Sequence, residues 1–280
     1  LMIFGNTMSK INCLHIWIYS FHMPIFFIIC GIIMCRKGRQ KSYSLLKEKI
    51  IRRWYTLGIP YLFFGGVLIL FYTILDLLDG QPISFLWFIP VYCFSEIIMK
   101  IIYKYKWRDI IISFVFLIIC ISTKSTIHIG STIYKIMLGI CFVEIGILIE
   151  QYLIIEKLGR IKYILLIIAA MLAQVNGSVE MIEGRIGNPV VYFLCATMTS
   201  VSVLALFKNA ESNNSKLLLV LEKYGKNTIV LLVTNNLLIE MIRLIDYKIT
   251  GNILIRLGIF GSILFTVGLL IIEWWFIKVA

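Results

Sequence analysis

At 280 residues, 60% hydrophobic and only 15% charged, the chain carries more apolar side chain than one water-soluble core can hide. A mean hydropathy of +0.93 makes the bilayer its solvent and excludes a soluble globular domain. The formal charge of +12 does not point to nucleic acid, because the basic residues punctuate apolar runs and form no patch of their own.

In chain order, apolar runs predict helices at 1–9, 16–35, 54–75, 85–103, 109–123, 134–150, 161–176, 189–207, 227–242 and 253–277. Crossing about 30 Å of hydrocarbon takes about 20 helical residues, so most of these are span candidates. The expected fold is all-α, a polytopic transmembrane bundle of about ten spans in a single domain over 1–280. The first span reads as incomplete, because Leu1 to Met8 covers barely two turns.

Orientation follows from the basic residues of the connections. Arg36 to Arg53, Lys100 to Arg108, Glu150 to Lys162, Lys208 to Lys226 and Lys278 hold most of the 27 Lys and Arg, and strict alternation puts all five on one side. That side is expected to be cytoplasmic, C-terminus included, in a multi-pass protein of the cell membrane.

Polar groups within spans cost about 2.5–3.5 kcal/mol at mid-helix, so each needs a partner or a purpose. They are Asn6, His22, Glu96, Glu144, Asn235, Asn236 and Glu240, with Arg185 and Asn188 on the outer connection before the eighth span. At 1.5 Å per residue, Asn6, His22 and Asn235 lie about 6–10 Å below the outer surface, within reach of one layer. Glu96 and Glu144 fall about 15 Å in, near the midplane. Arg52 and Arg53 cap the third span on the cytoplasmic face. Two readings apply to each group. His22 is a general base for a hydroxyl or a hydrogen-bonded residue before the Pro24 kink. The arginines hold phosphates or only anchor the helix. The glutamates and asparagines belong to a site or join helices by hydrogen bonds. His15 and His128 are expected in solvated outer loops. No two of the seven cysteines have CxxC spacing, so neither a disulfide framework nor a metal site is indicated. GxSxG, P-loop, HExxH and dinucleotide motifs are absent from the sequence.

The run Trp17-Ile-Tyr-Ser-Phe-His-Met-Pro-Ile-Phe-Phe-Ile-Ile-Cys-Gly31 resembles the second-span signature of the acyltransferase-3 family, membrane O-acyltransferases of polysaccharides and related glycans. The resemblance continues in order through Arg52-Arg53 with Ile59-Pro60-Tyr61, Leu86-Trp87-Phe88-Ile89-Pro90, Gly187-Asn188-Pro189 and Gly225-Lys226-Asn227-Thr228. The last two are similar to late motifs of the sugar O-acetylase branch. The resemblance implies transfer of an acetyl or similar group from acetyl-CoA, a cosubstrate rather than a bound cofactor, to a hydroxyl of an exopolysaccharide, capsule or lipid-linked sugar. It implies that Arg52 and Arg53 bind the acyl donor and that His22 activates or orients the hydroxyl. Glu96, Arg185 and Asn188 would serve on the acceptor side or as structural polar groups. Glycan assembly proteins and the lipid bilayer are the implied partners, with no nucleic acid among them.

Two positions depart from the family pattern. Gly5-Asn6-Thr7 carries Asn where Gly-His-Thr or Gly-His-Ser is expected, and Val233-Thr234-Asn235 stands where the branch often has Thr-His. An amide is no general base, so Asn6 and Asn235 enter the catalytic set as groups that orient the acceptor. The alternative is a catalytically degenerate homologue or a non-enzymatic membrane transport component.

Overall fold

The computed structural model describes residues 13–39, 46–74, 87–103, 105, 107–122, 131–211, 222, 225, 238, 261 and 266–272. The described residues form helices, turns and one isolated bridge, with no strand among them. The helices are α1 (Cys13–Phe21), α2 (Pro24–Arg39), α3 (Leu46–Arg53), α4 (Ile59–Ile74), α5 (Phe88–Ile102), α6 (Arg108–Ser122), α7 (Ser131–Gln151), α8 (Ile154–Lys157), α9 (Ile161–Asn176) and α10 (Pro189–Glu211). The chain divides into two compact units, one of Leu1–Ile18, Pro60–Leu86 and Ala210–Ala280, the other of Tyr19–Ile59 and Trp87–Asn209. All packing described below lies within the second unit.

Three stretches are long and apolar enough to cross a membrane by length and composition: Cys13–Lys37, Thr132–Gln151 and Pro189–Asn209. Ile161–Asn176 is apolar but shorter. The chain is thus a helical protein of membrane character. The expected helix at 1–9 and most of those at 227–242 and 253–277 lie outside the described residues.

Proline accounts for both interruptions of the early helices. Pro24 has no N–H to donate to Ser20, so the predicted helix 16–35 breaks at His22 and Met23 and restarts with Pro24 in its first turn. The N–H of Phe26 bonds the Met23 carbonyl at 3.2 Å across the break. Pro60 likewise cannot donate to Thr56. The turn Trp54–Gly58 widens to a π-helix, with the N–H of Ile59 reaching the Trp54 carbonyl. Upstream, α3 replaces what the charge pattern suggests is a basic connection. Its sequence, Lys47-Glu-Lys-Ile-Ile-Arg-Arg53, sets its charged and apolar residues at helical spacing.

The centre of the unit is α7, packed against α2, α5 and α6. Glycines bring α2 and α7 into backbone contact. A Cβ on Gly31 would fall on the Val143 carbonyl, and one on Gly146 on the Ile28 carbonyl. Gly139, two helical turns before Gly146, leaves room for the Phe27 ring and the Ser95 hydroxyl. In lipid, where burial of apolar surface gives no drive for helix association, such close approach supplies the dispersion that holds helices together. The Phe193 ring of α10 stacks on Phe142 of α7 at 4.5 Å and meets Phe116 of α6 edge-on at 5.2 Å. On α9, Ile161, Ile164, Ile168, Met171 and Val175 are exposed along one stripe, as a lipid-facing surface requires.

Contacts fix direction as well as proximity. Along α2, Phe27 meets Gly139, Gly31 meets Val143, and Arg36 meets Glu150, so α2 and α7 run parallel. Phe26 and Phe27 meet Phe88 at 5.5 and 5.3 Å, and Cys30, a turn further on, lies beside Tyr92, so α5 runs the same way.

Candidate functional site

The common C-terminal end of α2, α5 and α7 is built from ion pairs. Glu96 of α5, its side chain only 6% exposed, faces Arg53 at the end of α3. Arg53 Nη2 donates to Glu96 Oε1 at 3.0 Å, a charge-assisted hydrogen bond, and Nε lies 2.9 Å from Oε2 as an ion-pair contact. Lys100, one turn on, donates to the same Oε1 at 2.5 Å. Burial lowers the Arg53 pKa, but the charge and hydrogen bond of Glu96 outweigh it and leave the pKa above its ordinary value. On α7, Glu144 lies 3.0 Å from Arg108 Nη2, and Glu150 lies 3.0 Å from Arg36 Nη2. Arg108 also contacts Asp109 at 3.0 Å and the Tyr103 ring at 5.3 Å.

These pairs give the glutamates their partners. Glu96 and Glu144 each meet an arginine whose position in the sequence marks the basic side, and each lies about 9–10 Å from the end of its helix by the rise per residue. Glu96, expected among the acceptor-side or structural groups, is the carboxylate that holds Arg53. The arginine pair is itself divided: Arg53 is fixed, whereas Arg52 is exposed with no ion pair among the described residues. In a double-mutant cycle, Arg53→Gln and Glu96→Gln are expected to be less than additive, with a coupling energy of about 1–2 kcal/mol in detergent unfolding. The low end applies because the Arg53 side chain is 38% exposed and screened. Additive losses would show that the contact contributes nothing.

His22 stands at the other end of α2, in the break before Pro24, and is buried. Its ring packs against Tyr19 at 4.6 Å with a 57° tilt. The register that puts Phe27 at Gly139 sets His22 level with the first turns of α7, about 12 Å along the helix from Cys30 and the Glu96 layer. His22 and Arg53 therefore belong to separate layers. Asn6, Asn235 and His128 lie outside the described residues. His15, expected in a solvated loop, is instead in α1 and buried, because the helix starts at Cys13 rather than at residue 16.

The loop before α10 is built around two asparagines. Asn188 Oδ1 accepts from the N–H groups of Val190 and Val191 at 3.0 and 3.4 Å, which makes it the N-cap of α10 with Pro189 in the first turn. Its own N–H donates to Asn176 Oδ1 at 2.8 Å, and Asn176 Nδ2 donates to the Ile186 carbonyl at 2.9 Å. Gly187 has φ +66°, and a Cβ there would sit 2.7 Å from Asn176 Oδ1, so glycine is required twice over. Gly187-Asn188-Pro189 is thus a helix-start motif. Arg185 contacts Glu180 at 2.7 Å and also pairs with Glu183, closing a short hairpin through the Glu180–Arg185 bridge. Asn188→Ala is expected to cost about 1 kcal/mol, read as a lower Tm in detergent, with transfer activity unchanged at saturating substrates. A large fall in activity at constant stability would assign Asn188 to the reaction.

Lys100, Arg108, Arg36 and Glu150 take part as partners that sequence reasoning does not single out. Of these contacts, only Glu96 with Lys100 carries a local signal, the i, i+4 acid-to-base spacing.

The fold and these layers define a helical membrane protein with a buried histidine in one layer and braced cations in another. The acyltransferase-3 family, described as an acyltransferase domain, matches residues 3–276, and the chain belongs to it. It is a membrane acyltransferase. No curated protein and no solved structure matches the chain.

Proposed function

We propose that this acyltransferase moves an acetyl or similar acyl group from cytoplasmic acyl-CoA to a hydroxyl of an exported or cell-surface glycan, either a polysaccharide or a lipid-linked sugar. The observation that carries the reading is the spacing of two layers along parallel helices, with Arg53 braced by Glu96 in one and buried His22 in the other. About ten spans with the basic loops and C-terminus inside would place the Arg53 layer toward the cytoplasm, where acyl-CoA is found. Arg52, exposed and unpaired among the described residues, and the outer edge of Arg53 are the groups offered to donor phosphates.

In this reading the His22 imidazole takes the proton of the acceptor hydroxyl as its oxygen attacks the thioester carbonyl. The new C–O bond forms, the C–S bond breaks, and the imidazolium returns the proton to the departing thiolate. Asn6 and Asn235 orient the acceptor. Glycan assembly proteins would deliver it.

Expression in a glycan-producing host, with O-acetyl content read by NMR, tests the proposal. Ester above the empty-vector background is expected. Its absence with the protein inserted and folded rejects the reading. The second reading, a degenerate homologue or transport component, is motivated by Asn6 and Asn235 at positions where the family pattern has histidine. It predicts that Asn6→His with Asn235→His creates a transfer activity that the native chain lacks.

A further inference from the structure

Most charges buried within the second unit are paired. Glu96, Glu144, Glu150 and Glu180 each have a basic partner within 3.0 Å. Lys135 departs from this rule. It is only 7% exposed, in the second turn of α7, and has no ion pair among the described residues. Its Nζ stands over the Trp87 ring, 5.2 Å from the centroid. A ring face attracts an ammonium but supplies neither a counter-charge nor hydrogen-bond acceptors for its three N–H groups. Lys162, buried over Tyr163 at 5.4 Å, is the other case, but it lies in the first turn of α9 beside exposed Arg160.

Depth and register say what Lys135 faces. It is three residues inside the span Thr132–Gln151, about 5 Å from its end, near enough for a lysine side chain to reach the headgroup level. Trp87, at the start of α5, suits the same interfacial level. The parallel register of α2 and α7 also puts Lys135 level with Met23, next to His22 in sequence and far from the Arg53 layer. We propose that Lys135 on the Trp87 face is a binding site for the phosphate of a lipid headgroup, level with His22. That this lipid is the acceptor, a sugar carried on a lipid phosphate, rests on the function proposed above. The phosphate site itself does not.

The test is binding, not transfer. The purified protein in maltoside detergent micelles, which carry no phosphate, is titrated with farnesyl diphosphate or with phosphatidylglycerol, and tryptophan emission is followed. Farnesyl diphosphate is expected to give a saturable change. Its midpoint should rise at least about 10-fold in Lys135→Met and return to within about 3-fold of wild type in Lys135→Arg, with the emission change lost in Trp87→Phe. The same Lys135 dependence with phosphatidylglycerol alone supports the site and names bulk phospholipid as its occupant. No response, or one that Lys135→Met leaves unchanged, overturns the proposal. If Lys135→Met does not fold, Lys135→Gln, which retains hydrogen bonding without charge, takes its place. His22→Ala should bind the probe as wild type does, so loss of transfer and loss of the phosphate site are read separately.

Discussion

Gly146→Leu is expected to abolish folding of the α2–α7 pair, and Gly146→Ala to destabilise it well beyond an ordinary core substitution. An added methylene in a packed core costs about 1–3 kcal/mol when side chains yield. Here the obstacle is backbone: the Ile28 carbonyl occupies the position a Cβ would take, and the Ile28 Cα lies only 3.0 Å from that position. The only relief is to separate the helices. That also withdraws Gly31 from Val143 and loosens the Arg36–Glu150 pair at the end of both helices. Gly66 on α4 is the control, since nothing lies within 4 Å of where its Cβ would stand and Gly66→Leu should be tolerated. Yield of monodisperse protein and Tm in detergent separate the two. Equal stability of Gly146→Leu and Gly66→Leu would mean that α2 and α7 do not touch through their backbones.

Much of this architecture is legible because the bilayer writes in composition. The boundaries expected at 161–176 and 109–123 agree with α9 and α6 within a residue, since each begins beside a cluster of charge and ends at polar or glycine residues. What pairs with what is less legible. Glu144 and Arg108 are 36 positions apart, and nothing local joins them; only the packing of α6 on α7 does. The same holds for Glu96 with Arg53. Charge counting treats the arginines as labels of sidedness and the glutamates as isolated costs, so it passes over the possibility that each answers the other. His15 escapes for a local reason, a helix start three residues earlier than the apolar run suggests. Gly187-Asn188-Pro189 shows the opposite case. In the sequence it stands out as a family motif, yet its chemistry is a positive-φ glycine, an N-cap and a first-turn proline, legible from local rules alone.

The second large expected effect is on transfer. His22→Ala should lower kcat by about 100-fold to 10,000-fold, the usual range for removing a general base, while leaving insertion and Tm close to wild type. The expectation of a stable variant follows from position: the helix break is enforced by Pro24, not by the imidazole, and Phe21 and Met23 on either side stay buried. A structural histidine packed on Tyr19 makes a different forecast. Then His22→Gln, which keeps a hydrogen-bonding group of similar reach, should restore activity, and Tm should fall in step with the rate in His22→Ala. The pH profile adds a criterion that packing does not move. If the imidazole takes the hydroxyl proton, kcat falls on acidification in wild type, because only the neutral form accepts a proton, and His22→Ala flattens that limb. Full activity in His22→Ala with the limb intact would return His22 to the fold and require the base to be sought elsewhere in the chain.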